Sequence, residues 1–446
     1  MKIILSAYNF YPVHKGGTEV YTKALTLYLH GKNLEVLVIA ALDESNTLSG
    51  KLITDNDEIK AVYYLYENIC VLGVQLKKQA TDDIYAGASK VWTENFEQII
   101  VQLGWQYASH LIMNGITTVS GLSLCDALVH LNADIRISIV VHTPFICPKA
   151  DMIYSGNQKR CEQVLSEHTC ASCLIAEKIG IPFSIGRFFN TIFNQTPLHR
   201  VISLTAFRLE KLLKKKFRGF RLLDEKTMAW IVFSNDMQQF LSKQPFITPG
   251  KISVIRHGID STVFYTENNI NQTSPIRFLY VGRFEEIKGV KLLGDAWQQM
   301  EERPEVCQLY LAGNWKETTT GRILADNLGN RKDVTFIEAL PQDKLAGLYR
   351  ETHCVIIPSK WIETGPLVFH EAIACGCDII TSDTGGQGEL ASLYKNKSTV
   401  FSSGDKNSLY QAIVRYKPSD KENDCFPITE AEHFERLCHR LAISSD

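Results

Sequence analysis

Long apolar runs are missing from this chain of 446 residues. No hydrophobic stretch reaches the roughly 18 to 20 residues that a membrane-spanning helix needs. The formal net charge is only −2, so the chain lacks the basic excess that binds nucleic acid. Hydrophobic residues make up 45% of the chain and charged residues 22%, which is typical of a soluble globular protein. We therefore expect neither a transmembrane helix nor a nucleic-acid partner.

Other familiar signals are also missing. The first residues, Met1 to Tyr8, lack the length and the small-residue cleavage site of a signal peptide, and they read as a buried first strand. We expect a cytoplasmic location. No internal repeat or low-complexity segment is present, and no Gly-x-Gly-x-x-Gly follows a strand, which disfavours a nicotinamide site.

The length favours two domains of ordinary size, because 446 residues exceed one comfortable core. We place an N-terminal domain at 1–265, a C-terminal domain at 276–426 and a terminal helix at 427–446, with the polar stretch 266–275 as the linker. Apolar runs that end in glycine turns alternate with helical patterns, so both domains should contain parallel strands. The predicted strands are 2–8, 34–41, 135–141, 229–233, 252–260, 277–281, 309–314, 334–339, 353–357 and a short apolar strand that begins at Asp378 and runs into a glycine turn at 385–386.

Two carboxylates in the second domain bracket a predicted helix start. The strand 353–357 breaks at Pro358-Ser359, and Glu363 follows in the loop, eight residues before Glu371. Pro366 fits only the beginning of a helix, so Glu371 should lie inside that helix. The free amides around 365–368 would then form an anion site. The alternative is a chance pair of surface carboxylates.

Two cations follow the first strand of the second domain. Arg283 comes after Gly282, and Lys288 comes five residues later, before Gly289. At the carboxyl end of a parallel strand, both side chains can converge on a diphosphate. The alternative is ordinary surface charge.

These motifs together resemble the retaining glycosyltransferases of family 4. The resemblance implies the GT-B fold, an α/β architecture of two Rossmann-like, doubly wound domains that face a central cleft. It implies a UDP- or GDP-sugar donor, and an acceptor that is a glycan or a lipid-linked glycan of bacterial surface polysaccharide. Two departures affect local contacts: His257 stands where the family usually has Asn, and Asn314 or Trp315 replaces a second glycine.

The resemblance also implies roles for individual residues. Glu363 would lie by the donor sugar and Glu371 on the ribose hydroxyls, while His142, just past a predicted strand, would touch the transferred sugar. The residues expected to bind the nucleotide sugar are Gly16, Gly17, Arg283, Lys288, Gly365, Pro366, Leu367 and Glu371. The expected catalytic residues are His142, Glu363, Arg283 and Lys288.

Cations and amides alone can stabilise a diphosphate leaving group. No Asp-x-Asp segment lies near the site, so no catalytic metal is expected. Two other functions remain open: a nucleotide-sugar 2-epimerase, which would act without an acceptor, and a non-catalytic protein that binds nucleotide sugars. A pyridoxal-phosphate phosphorylase is disfavoured because no cofactor-lysine segment is recognisable.

Four of the twelve cysteines lie close together in the sequence. They are Cys147, Cys161, Cys170 and Cys173, and they define an insert at 147–173 that also resembles one subgroup of the family. In a reducing compartment, such a group more often binds metal than forms disulfides, and four thiolates complete a structural zinc site. The alternative is that these cysteines are small buried hydrophobic residues.

A basic amphipathic segment spans 208–221 and contains seven cations in fourteen positions. Two interpretations fit it. The segment lies against an anionic membrane surface, which would make the protein peripheral at the inner face of the cell membrane, or it is the solvated face of an ordinary helix.

Overall fold

The structure is a computed structural model that describes residues 1–12, 16–42, 50–77, 88–116, 119, 121–149, 152, 160–179, 199–267, 275–419 and 426–444. It divides into two compact units. Unit 1 comprises Met1–Phe233, Gln238–Ile255 and Phe434–Asp446, and unit 2 comprises Ser234–Met237 and Arg256–His433. The division at 255/256 lies ten residues before the end that we predicted for the first domain at 265. Most of the predicted linker, 268–274, lies outside the described residues.

Unit 1 is built on a nine-stranded sheet. Its strand order is β3-β4-β5-β2-β1-β6-β7-β8-β9. From β5 to β9 all neighbours are parallel, whereas β3, β4 and β5 form an antiparallel edge. The strands are β1 Lys2–Ala7, β2 Glu35–Ala41, β3 Lys51–Asp55, β4 Ile59–Tyr66, β5 Ile69–Leu76, β6 His110–Asn114, β7 Arg136–Val140, β8 Thr227–Val232 and β9 Ile252–Val254.

Helices connect the parallel strands of unit 1. They are α1 Gly17–Gly31, α2 Lys90–Gln102, α3 Leu122–Leu131, α4 Glu167–Ile179, α5 His199–Lys226 and α6 Asn235–Ser242, whose last residues belong to this unit. The terminal helix, α13 Glu430–Leu441, places Phe434, Leu437 and Leu441 in the same core as β1 and β2. These three residues recur at the i, i+3 and i+7 spacing of one helix face, which explains why the end of the chain packs there.

Unit 2 is built on a six-stranded sheet that is parallel throughout. Its strand order is β12-β11-β10-β13-β14-β15, so the chain starts in the middle, moves to one edge and then crosses to the other side. This is the order of a Rossmann fold. The strands are β10 Ile276–Val281, β11 Cys307–Ala312, β12 Val334–Ile337, β13 Cys354–Ile357, β14 Asp378–Ser382 and β15 Ser398–Phe401.

Helices cover both faces of the second sheet, because successive strand residues point to opposite sides. Phe278 and Ile356 pack in one core, whereas Leu279 and Val355 pack in the other. The helices are α7 Val290–Trp297, α8 Thr319–Leu328, α9 Gln342–Arg350, α10 Leu367–Ala374, α11 Gly385–Leu393 and α12 Lys406–Val414. Side chains cap the first turns of α8 and α12, through Thr318 and Asp405 respectively.

The structure corrects two local predictions. The sequence predicts Thr18 as the N-cap of the first helix, because a threonine side chain can accept from the first-turn amides, but α1 begins at Gly17 after an extended Gly16. The antiparallel edge of unit 1 was not predicted at all. Its hairpin turn places Glu67 and Asn68 at φ of 47° and 66°, the two left-handed positions of a tight β-hairpin turn.

The basic segment 208–221 lies within α5. Its apolar side chains Leu213, Phe217 and Phe220 are buried in unit 1, and six of its seven cations are exposed; the exception is Lys216. The apolar face is therefore occupied by the protein's own core. Among the described residues, no helix combines the length and the hydrophobicity needed to cross a membrane.

Candidate functional site

The two neighbouring strands β10 and β13 mark the point in unit 2 where the strand order reverses. In open parallel sheets, ligands bind beyond the carboxyl ends of the strands at such a point. Here the loop after β10 contains Arg283 and Lys288, and the loop after β13 contains Glu363. The topology therefore brings together side chains that are up to 80 positions apart in the sequence.

Lys288 and Glu363 form an ion pair at this point. The Nζ atom of Lys288 lies 2.6 Å from Oε1 of Glu363, and the two side chains are 21% and 18% exposed. The hydroxyl of Ser359 donates to the same oxygen at 3.1 Å, and Nζ lies 5.7 Å from the ring centre of Trp361. The pair is therefore largely shielded from water and fixed by neighbours on the second loop.

Backbone contacts lock the two loops together. The amides of Lys360 and Trp361 both donate to the carbonyl of Ile287, at 2.9 and 3.1 Å. Gly289 has φ of 75°, and a Cβ atom there would lie 1.8 Å from the carbonyl oxygen of Pro358. Only glycine permits this approach, which puts Lys288 beside Glu363.

A third loop, after β14, supports the first two. The amide of Gly386 donates to the carbonyl of Glu363 at 2.6 Å. The side-chain amide of Gln387 donates to the carbonyls of Ser359 and Trp361. The backbone around Glu363 is therefore held by the start of α11.

Arg283 is the more exposed of the two cations. Its side chain is 61% exposed, and Nη1 lies 2.9 Å from Oε1 of Glu285. The hydroxyl of Tyr280 donates to the carbonyl of Arg283 at 2.6 Å, and the side chain of Asn314 accepts a hydrogen bond from the amide of Phe284. The residue that departs from the family pattern at 314 thus braces the loop.

Helix α10 begins at this site without a side-chain cap. Its N-cap is Pro366, with φ of −69° and ψ of 119°, and the helix runs from Leu367 to Ala374. The prediction that Pro366 lies at the beginning of this helix is confirmed. The amide of Phe369 donates to the carbonyl of Pro366 at 3.1 Å, but proline offers no side-chain acceptor, so the amides of Leu367 and Val368 are left for another acceptor, in contrast to α8 and α12.

Glu371 lies inside α10, as predicted, but it is buried. Its side chain accepts a hydrogen bond from the hydroxyl of Tyr349 at 3.0 Å. Loss of hydration raises the pKa of Glu371 from 4.5 to about 7, although the bond from Tyr349 opposes this shift. The carboxyl group is therefore close to half-protonated near neutral pH.

Gly365 directly precedes Pro366 in unit 2, and the remaining predicted residues lie in unit 1. Gly16 and Gly17 open α1, directly after the loop that follows β1, and His142 follows β7. The ring of Tyr21, on α1, lies 4.8 Å from the ring of His142 in an edge-on contact. The structure thus brings the start of α1 and His142 to neighbouring positions within this unit.

The four clustered cysteines also come together within unit 1. Cys147, Cys161, Cys170 and Cys173 all line one cavity of about 20 Å³. Burial, followed by the interactions with the three other thiols, raises the pKa of Cys170 to about 12. As the side chains are placed, no group of three or more His, Cys, Asp or Glu in the described ranges has the arrangement needed to hold a metal ion.

Sequence reasoning missed three residues of the site in unit 2. Ser359 follows a strand end directly, which is a usable signal for a ligand-edge residue. Tyr349 and Trp361 gave no such signal, because their partners, Glu371 and Lys288, are distant in the sequence.

Residues 264–424 match the protein family described as Glycosyl transferases group 1. The matched range contains Arg283, Lys288, Glu363 and Glu371. A curated relative, the D-inositol 3-phosphate glycosyltransferase of Corynebacterium jeikeium, is 32% identical over 114 residues. That alignment covers 24% of this chain and 27% of the relative, so the chain spans about a quarter of the relative's length.

Two solved structures resemble nearly the whole chain. The sucrose-phosphate synthase of Thermosynechococcus elongatus has a TM-score of 0.59 at 17% identity and covers 99% of this chain and 94% of its own. HepE of Anabaena, in complex with UDP and glucose, has a TM-score of 0.57 at 15% identity and covers 99% and 95%. The chain therefore has the GT-B fold with two Rossmann-like domains, and the region that matches the glycosyl transferases group 1 family lies in its second unit.

Proposed function

We propose that this protein is a retaining glycosyltransferase that moves a hexose-type sugar from a UDP- or GDP-sugar to a glycan or lipid-linked acceptor. The observation that carries the proposal is the pairing of Lys288 with Glu363 where the strand order of unit 2 reverses. This pair lies inside the matched glycosyl transferases group 1 region. HepE, which has the same fold, binds UDP and glucose, and that supports a nucleotide-sugar donor here.

The reaction requires stabilisation of a leaving group. When the bond between the anomeric carbon and the nucleoside diphosphate breaks, negative charge develops on the phosphate and positive charge on the sugar ring. Lys288, Arg283 and the uncapped amides of α10 can stabilise that phosphate charge. The same groups would hold the donor before reaction.

The ion pair also explains how the site is prepared for an anion. Glu363 keeps the Lys288 ammonium in place before the donor arrives, at 2.6 Å. A diphosphate has more negative charge than a carboxylate and competes for that ammonium. As Lys288 turns to the phosphate, the Glu363 carboxylate becomes available to accept hydrogen bonds from sugar hydroxyls. The hydrogen bond from the Ser359 hydroxyl keeps the Glu363 carboxylate in position.

Glu371 is proposed to bind the ribose hydroxyls of the donor. Each hydrogen bond from a hydroxyl to a carboxylate contributes roughly 1.5 to 3 kcal/mol to binding. This contribution offsets the free-energy cost of ionising a buried carboxyl group. The bond from Tyr349 fixes the orientation of the carboxyl group.

Retention of configuration is proposed to proceed by same-face internal return, because the chain offers no obvious nucleophile at the site. Gly16 and Gly17 are proposed to contact the donor diphosphate, and His142 the transferred sugar. The product is proposed to be a bacterial surface polysaccharide. The exposed cations of α5 are proposed to attract the protein to anionic lipid on the cytoplasmic side of the membrane.

The test is donor turnover by Lys288→Ala, with Lys291→Ala as the matched control. Lys291 lies three residues away, is 53% exposed and pairs with Asp295 at 2.7 Å. Loss of one leaving-group contact should lower turnover by about 10² to 10³. Lys291→Ala should keep wild-type turnover.

Assays with UDP- and GDP-sugars, with and without a glycan acceptor, separate the alternatives. A 2-epimerase would convert the sugar nucleotide without an acceptor, and a non-catalytic protein would bind UDP or GDP but release none from a sugar donor. Equal turnover in wild type and Lys288→Ala would refute the assigned role of Lys288.

A further inference from the structure

Four cysteines from three separate segments of unit 1 surround one small cavity. Cys147 lies in the turn after β7, Cys161 lies in a separate loop segment, and Cys170 and Cys173 lie on α4. The cavity has a volume of about 20 Å³, which is room for one small ion. The convergence of thiols from segments up to 26 positions apart is the observation that requires an explanation.

The backbone of each segment is fixed by hydrogen bonds. The amide of Cys147 donates to the carbonyl of Pro144 at 3.0 Å, and that of Cys161 to the carbonyl of Met152 at 2.6 Å. Cys170 and Cys173 are three positions apart on a helix, so both point to the same face. The four Cα positions are therefore set by local structure, and only the side-chain torsions are left to adjust.

Charge also favours a metal at this place. Lys216, on α5, is only 5% exposed; burial lowers its pKa, and the interaction with the thiols of Cys147 and Cys170 opposes that shift. Lys149 lines the same cavity. A divalent ion with four thiolates has a net charge of −2, which the Lys216 ammonium would partly offset, since Lys149 already pairs with Glu177 at 3.2 Å.

We propose that Cys147, Cys161, Cys170 and Cys173 bind a structural zinc ion. As placed, the thiols do not have coordination geometry, so binding requires rotation about each Cα–Cβ bond. A change of rotamer moves a sulfur by about 3 Å, which exceeds the usual Zn–S distance of about 2.3 Å that each thiolate would have to reach. Each thiol that ligates the ion releases its proton.

A zinc ion here would tie the loop that follows β7 to α4. That loop begins at His142, five residues before Cys147. The proposed zinc belongs to unit 1, whereas Lys288 and Glu363 belong to unit 2, so the zinc is proposed as structural and does not rest on the proposed function.

The test is titration of the full-length, reduced protein with Co²⁺. Binding is measured by two absorption signals: the thiolate-to-cobalt charge transfer in the near ultraviolet and the visible d–d bands of tetrahedral cobalt. Wild type should bind one Co²⁺ per chain, and Zn²⁺ should displace it. Protein purified without chelators should contain one zinc by mass spectrometry of the metal. Cys170→Ser and Cys173→Ser should lose both signals.

The matched control is Cys70→Ser, at a half-buried cysteine of β5 outside the cavity. It should leave the cobalt spectrum unchanged. Wild-type protein that gives no tetrahedral cobalt spectrum overturns the proposal, even if the serine variants fail to fold. A disulfide among the four cysteines in freshly purified protein, detected by mass, overturns it as well.

Discussion

Glu371 gives the sharpest prediction, because burial disfavours its ionised form, and the proposed contact with the ribose needs that form. The Glu371→Gln variant keeps the shape of the side chain and an oxygen that accepts from Tyr349, but it cannot ionise. In the unliganded protein, the variant should therefore be more stable than wild type at high pH, with a smaller difference at low pH.

The magnitude follows from the pKa. A group whose pKa rises from 4.5 to about 7 on folding costs no stability below about pH 4.5. The cost grows as pH rises between these values and levels off at about 3 kcal/mol above pH 7. At about pH 5.5 it is about 1 kcal/mol, so the stability gain of Glu371→Gln should be about 2 kcal/mol larger at about pH 8.

Calorimetric unfolding of wild type and Glu371→Gln at these two pH values measures the difference. Tyr349 and Cys375, the titratable groups that face Glu371, both have a pKa above the ordinary value, and that of Cys375 is about 12. They stay neutral over this range and should not contribute. A stability difference that is the same at both pH values would show that Glu371 titrates normally, and it would refute the reasoning.

Two further predictions concern the loops and the basic helix. Gly289→Ala should destabilise the protein by about 1 to 3 kcal/mol, because φ at this position is 75° and a Cβ would meet Pro358. The control, Gly347→Ala, has open space around the new methyl group and should stabilise the protein by about 0.5 to 1 kcal/mol. Urea unfolding measures both changes, and equal effects would contradict the loop contact. Reversal of two exposed cations of α5, Lys214→Glu with Lys215→Glu, should abolish sedimentation with anionic vesicles at low salt, and wild type that does not sediment would refute the membrane proposal.

Much of the parallel architecture could be predicted because buried parallel strands have continuous apolar sequences. The strand predicted to begin at Asp378 does begin there, and most other predicted strands agree with the structure to within a few residues. The antiparallel edge escaped because β4 mixes Lys60 and three tyrosines with its apolar residues, and its turn uses Glu67-Asn68 in place of a glycine pair.

The candidate site was predictable in its parts but not in its pairing. Strand ends and glycine turns pointed to Arg283 and Lys288, and the proline before a helix pointed to the segment with Glu363. Nothing local in the sequence indicates that Lys288 and Glu363 form an ion pair, since this depends on the adjacency of β10 and β13. The burial of Glu371 likewise depends on α9, which supplies Tyr349.

The central claim is that the loops after β10 and β13 bind the nucleoside diphosphate of the donor. Hydrogen–deuterium exchange of the full-length protein, with and without UDP or GDP, tests it most directly. Amides in 282–289 and 359–371 should exchange more slowly with one of the two nucleotides, and the change should be lost in Lys288→Ala but kept in Lys291→Ala. Binding that leaves exchange in both segments unchanged would contradict the claim.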